Sequence, residues 1–490
     1  MNDVRNISSY IVMTLDEIYA LDAFLQQFGD VNDIFEEIRK SDSRLLTPFL
    51  AWEQKIDLHA LDDRTINRST IECILEWIVE LWEEKKERLS LTNSSNRCRI
   101  EKHLLAGSIS ATRMWLQMTG LKPRTVNKMF VKVVDYGRLE VAKRFLIDYR
   151  IDPSTRVGSK CRIDPESRVD SYTALQIAAK RGYLDIVEVL LADPRVDLAI
   201  EGGYALYEAA KNGRIEVVTQ LLANPRIDPT AFNNRAIRVA ACNGHLDIVK
   251  VLLVDPRVDP TAYDNQALWQ ASAEGHFHVV EALLADPRVN PATIDNIAVQ
   301  LAAQHGHLAV VNRLLADPRV DPTVNGNGSL RQAVGNGHVE IVVRLLADPR
   351  VNPSHIGNHP IQAACLYGYL EIVNVLLEHP YVDPADIDNI ALRYAASRGH
   401  SEVVRRLLAD PRVDPTANNN EALHLASRNG HVNVVRRLLA DPRVDPSAND
   451  NDALRVASHR KHAKIVKLLL ADPRVDASAV RMKRKLYRIE

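Results

Sequence analysis

A proline returns every 31 residues through most of this chain: Pro194, Pro225, Pro256, Pro287, Pro318, Pro349, Pro380, Pro411, Pro442 and Pro473. Around it stands Leu-Leu-Ala-Asp-Pro-Arg-Val-Asp, complete at 190–197 and closely copied at each step without insertion or deletion. A fixed period of this size is the signature of a solenoid, in which one supersecondary unit stacks on the next and no single central core is needed. Function in such a chain is sought on a surface, not in a pocket.

The unit can be read from its recurring residues. A glycine recurs from Gly182 through Gly213, Gly244, Gly275, Gly306, Gly337, Gly368, Gly399 and Gly430, and is replaced by Lys461. A short alanine-rich helix precedes it, as in Ala267-Leu-Trp-Gln-Ala-Ser272, and a second helix follows, as from His245 to Leu253. Glycine accepts the positive φ of a helix C-terminus. Proline ends the second helix because it lacks an N–H and restricts its predecessor. Val-Asp-Pro then runs into a turn with Asn at 234, 265, 296, 327, 358, 389, 420 and 451, which local Asx-turn chemistry explains. The alanines from Ala178 to Ala457, again 31 apart, predict close approach between neighbouring first helices.

Glu421-Ala-Leu-His-Leu-Ala-Ser-Arg-Asn-Gly-His431, followed by Val434-Val-Arg-Arg-Leu-Leu439, resembles the ankyrin repeat, and Thr173–Gly182 is similar. The resemblance covers roughly residues 97–480 and implies an all-α ankyrin-repeat solenoid of about eleven units with protein binding as its task. The period is shorter than the family's usual value of about 33, Thr-Pro is mostly lost, and Asp-Pro-Arg replaces the glycine that opens the family's loop. Shorter loops are expected.

Three segments depart from the period. Residues 1–96 carry 19 Asp+Glu against 10 Lys+Arg, with helical patterns over 10–40 and 69–91 and three tryptophans, Trp52, Trp77 and Trp82. They predict a small N-terminal helical domain, either a cap on the array or a docking module, joined through a linker at 90–96. Between Gly137 and Gly182 the spacing is 45, which places a 14-residue insertion near 154–167 that carries Arg156, Lys160 and Arg162 and reads as a duplicated loop. A basic tail at 481–490 closes the sequence and reads as a solvated cap helix, with a nuclear address as the alternative.

The formal net charge of −1 gives no global field toward nucleic acid or anionic membrane. Five scattered cysteines without a Cys-x-x-Cys pair indicate a reducing compartment. No signal sequence or long apolar run is present, so a cytoplasmic protein is expected. Six Gly-His pairs invite a metal reading. Stacked helices sit about 8–10 Å apart, too far for ligands that each lie about 2 Å from one zinc. Gly326-Asn-Gly328 follows no strand and completes no dinucleotide loop. The arginines beside the repeated prolines sit among matching aspartates and read as a structural ladder of ion pairs. No nucleophile–base pair or carboxylate dyad stands apart from the repeat. The expectation is a monomer with no catalytic residue, cofactor, metal or small-molecule substrate.

Information remains in the columns that vary. By resemblance, partners touch the two residues before the junction glycine and the loop tips. The candidate protein-binding residues are Lys180, Arg181, Lys211, Leu366, Tyr367, Tyr369, Tyr381, Tyr394, Arg398 and Arg428. The unit around 353–383 departs most, because His379-Pro380-Tyr381 replaces Asp-Pro-Arg. A protein-binding scaffold or adaptor is the leading expectation. The second is an adaptor whose N-terminal region recruits a ubiquitin-ligase component, and nucleic-acid binding by the basic ends is third.

Overall fold

The computed structural model describes residues 101–475, apart from 103, 109–111, 113–114, 117–120, 159–170 and 356–358. The expected N-terminal domain, the linker, Lys160, Arg162, Asn358 and the basic tail lie outside the described residues. The chain divides into two compact units, residues 1–231 and 232–490.

In the first unit, helices Pro123–Asp135 and Leu139–Ile147 form one pair, Ala174–Arg181 and Leu184–Ala192 a second, and Leu198–Lys211 and Ile215–Ala223 a third. The aromatic core is Trp115, Phe130 and Phe145, all fully buried, with Phe145 stacked on the other two at centroid distances of 5.5 and 6.1 Å. The inserted segment leaves and returns through a two-residue antiparallel ladder, Val157 opposite Tyr172 and Gly158 opposite Ser171. It is the single departure from all-α among the described residues. Immediately after it, Thr173 and Gln176 close a reciprocal capping box that fixes where the next helix begins.

The second unit repeats one helix pair, from Ala231–Cys242 with Leu246–Val254 to Ala448–His459 with Ala463–Leu470. Its second helices have eight or nine residues, too short to persist alone. Their stability comes from a buried stripe such as Val403, Val404 and Leu407. The alanine column is buried as expected: every member from Ala178 to Ala457 is 0 % exposed.

The loop differs from the expectation in one respect. Among the described residues seven units, including those at 263–265 and 294–296, place three successive residues in the left-handed region, with φ between 46 and 61°. The Asn at the end of each triplet is not closing a local Asx turn. In five of them its Oδ1 accepts a backbone N–H from the following loop: Asp259 to Asn234 at 2.8 Å, Asn290 to Asn265 at 3.0 Å, Asp321 to Asn296 at 3.2 Å, Asp414 to Asn389 at 2.8 Å and Asp445 to Asn420 at 2.9 Å, whereas Asn327 donates through Nδ2 to Asn352 O at 2.7 Å. A side chain from the helix ahead holds the turn's carbonyls. Arg238 donates to Phe232 O at 3.0 Å and to Asn233 O at 3.1 Å, and Arg331 donates to Asn325 O at 2.9 Å. A conformation that L-residues rarely string together persists because neighbours on two sides over-determine it.

Candidate interaction surface

Most second helices end at an Asp-Pro-Arg-Val turn, with Asn224-Pro-Arg-Ile227 and His379-Pro-Tyr-Val382 among the variants. In the turn at 286–289 the Asp286 carbonyl accepts from Val289 N–H at 3.1 Å, with proline pre-set for the second position. The arginine folds back onto its own aspartate: Arg288 Nε and Nη2 donate to Asp286 at 2.9 and 2.6 Å. The guanidinium therefore holds the carboxyl below the usual carboxylate range, as at Asp317, Asp410 and Asp472. The remaining donors reach one unit back. Arg288 bonds Val258 O at 2.8 Å, Arg412 bonds Val382 O at 2.8 Å and Leu377 O at 3.1 Å, and Arg443 bonds Val413 O at 2.9 Å and Leu408 O at 3.0 Å. The ladder thus caps the helix of the preceding unit as well as pairing its own charge.

Six of the histidines after the junction residue, which is glycine for five of them and Lys461 before His462, have a comparable task. Nε2 of His276, His307, His338, His400, His431 and His462 lies 2.9–3.1 Å from a main-chain carbonyl of the preceding unit. A carbonyl only accepts, so the proton sits on Nε2. In the first unit Arg138 and Arg214 fill the same place, donating to Leu105 O at 2.9 Å and Lys180 O at 3.2 Å. Each ring also lies against the preceding glycine: a Cβ built on Gly275 would stand 2.5 Å from His307. Among the described residues no group of three His, Cys, Asp or Glu could hold a metal ion.

With these columns consumed by the stack, the variable positions carry the chemistry. In the first unit Lys180 is half-buried, its Nζ 4.9 Å from the Tyr172 ring centroid, while Arg181 is exposed and donates to Asp135 at 2.8 Å. Lys211 is half-buried and bonds the Tyr207 hydroxyl at 3.3 Å. Beside the insertion, Arg156 lies over the Tyr204 ring at 5.6 Å. Nearby Glu201 is 4 % exposed, and burial raises its pKa against the pull of the Ser154 and Thr173 hydroxyls.

In the second unit Leu366, Tyr367 and Tyr369 gather where helix His359–Tyr367 turns into Leu370–Glu378. The Tyr367 and Tyr369 rings are 5.9 Å apart, but only Tyr367, 54 % exposed, is presented; Tyr369 lies over Gly337 in the histidine's place. Tyr381 is exposed beside His379, at the other end of the helix that starts at Leu370, so the structure does not bring Tyr367 and Tyr381 together. Tyr394 is half-buried midway along Asp386–Arg398, and Arg398 and Arg428 are exposed at successive helix ends.

Reading the columns missed a further set. Phe232, Tyr263, Ile294 and Ile387 are 41, 58, 53 and 54 % exposed and open the left-handed turns. The available signal was a position two residues before the Asn column that alternates between large apolar residues and Asn.

A family model described as ankyrin repeats (3 copies) matches residues 129–233, 206–295, 299–389 and 392–479. Comparison with curated proteins gave no match. No helix among the described residues is long and apolar enough to cross a membrane.

Proposed function

Because the chain belongs to the ankyrin-repeat family, whose arrays generally mediate protein–protein interaction, we propose that it is a non-enzymatic scaffold or adaptor. It holds a partner protein along the face made by the first helices and the turns that follow them. The observation that carries this reading is a division of labour within each unit. Glycine, alanine, arginine, histidine and asparagine columns are spent on joining units, whereas the two residues before the junction glycine are half-buried or exposed and chemically different from unit to unit. Tyr367, Arg398 and Arg428 form one such run in the second unit, an aromatic followed by two cations. Aromatic and arginine side chains are the usual anchors of protein interfaces.

The test uses the immobilised full chain to capture proteins from cell extract, beside a Tyr367→Ser/Arg398→Glu/Arg428→Glu variant of unchanged circular dichroism. The expected result is a protein retained by the parent and reduced about tenfold or more on the variant, the scale at which an interface loses about 1.4 kcal/mol. Equal retention on both would remove this run from the interface.

A further inference from the structure

The left-handed turns contain their own control. Their first residue is apolar in four units, Phe232, Tyr263, Ile294 and Ile387, and is Asn325, Asn418 or Asn449 in the other three. The backbone is the same in both groups, with φ/ψ of 46/58° at Ile294 and 50/46° at Asn418. Asn is the residue best suited to this region, and β-branched or bulky residues are the worst. Asn therefore suffices for the turn, and the apolar residue adds backbone strain. Burial does not offset that strain, because all four side chains are 41 % exposed or more. Persistent strain combined with exposed apolar surface points to a role outside the fold.

Three of these residues are consecutive rungs, Phe232, Tyr263 and Ile294. The next residue in each triplet is Asn233, Asp264 or Asp295, also exposed, and neither aspartate forms an ion pair among the described residues. Arg238 occupies one face of the Tyr263 ring at 4.5 Å and the Asn233 amide donates to its hydroxyl at 3.1 Å, which fixes the ring's orientation while leaving it 58 % exposed. In the two units beyond Phe232 the rim thus pairs one apolar with one acidic residue, Tyr263 with Asp264 and Ile294 with Asp295, with the Arg238 guanidinium set against the Tyr263 ring.

We propose that Phe232, Tyr263 and Ile294, with Asp264 and Asp295, form a docking ridge for an extended basic segment of a partner protein. Each rung takes one apolar side chain, and lysine or arginine residues between them meet the aspartates. The spacing fits this occupant. Stacked helices repeat at about 8–10 Å, and a polyproline-II chain brings every third side chain to the same face at about 3.1 Å per residue, or roughly 9 Å. The proposal rests on the protein-binding reading and adds the place and the chemistry of the bound segment.

The test is fluorescence anisotropy of the full chain with three labelled dodecapeptides, (Leu-Arg-Ser)4, (Leu-Glu-Ser)4 and (Ala-Arg-Ser)4. The first should bind about tenfold or more tightly than either control. A Phe232→Asn/Ile294→Asn variant, using the residue the chain itself places at 325, 418 and 449, should lose that affinity while its thermal midpoint stays level or rises. Equal binding of the Leu-Glu-Ser peptide, unchanged binding by the variant, or a lowered midpoint would each overturn the ridge. Its failure is read separately from that of the scaffold reading, because the peptide assay leaves Tyr367, Arg398 and Arg428 untouched.

Discussion

Gly275 answers two demands at one position. Its φ of 77° lies where an L side chain is strained, and the His307 imidazole occupies the volume a Cβ would take. Gly275→Ala should therefore lose about 1–2 kcal/mol from the backbone and about 1–3 kcal/mol more from displacing a ring that bonds Ala273 O. Adding His307→Ala removes the clash but not the strain, so the double variant should cost less than the sum of the singles. Urea denaturation of the four proteins measures the coupling; additivity within about 0.5 kcal/mol would show that ring and glycine are independent. The sequence announced the first demand through the spacing of the glycines. The second was hidden, because the ring arrives from the following unit and nothing local marks it. The histidines show the same limit. Their spacing excluded a shared metal, but a carbonyl acceptor in the preceding unit has no side-chain signature.

At the scale of the loop, the Asp-Pro-Arg turn was legible as a helix stop and a charge pair, and its backward reach was not. The reach explains what the exception costs. With Tyr at 381 there is no guanidinium to donate to Val351 O as Arg412 does to Val382 O, and His379 replaces the aspartate. His379→Asp/Tyr381→Arg should restore both, raising stability by about 0.5–1.5 kcal/mol per hydrogen bond regained. A thermal midpoint that failed to rise would mean that the arginine finds no purchase on this unit. The left-handed turn is the loop feature least visible in sequence. Asn at 265 or 296 invites a local Asx reading, because a partner in the next loop leaves no trace near the residue. Ile294 at positive φ argues against the true conformation, since the propensity of isoleucine is extended. Where sequence logic fails so consistently, at Phe232, Tyr263, Ile294 and Ile387, the discrepancy is what motivates the ridge proposed on the first three.

For the molecule as a whole, what matters is that almost every stitch runs between neighbours. Asn Oδ1, Arg Nη1 and His Nε2 each reach one unit and no further, so stability within residues 232–490 should behave as a sum of units and their interfaces. That is why the period alone revealed the architecture, whereas the head, whose sequence has no repeat to average over, yielded only helical patterns and a charge balance. The same locality predicts which deletions the chain tolerates. Removing residues 418–448 joins Ala417 to Asn449, restoring the Ala-Asn junction that opens the left-handed turn at Asn418. Asn389 keeps Asp414, while Arg474 and His462 find carbonyls and a glycine of the same kind as those they lost. The shortened chain should keep its helical content per residue in circular dichroism and unfold in urea with an m-value reduced in proportion to the surface removed. Removing only residues 418–432 sets a second helix where a left-handed turn is required, and should abolish the ordered transition of the units on both sides. Equal tolerance of the two deletions would mean that the stitches do not fix the register of the stack.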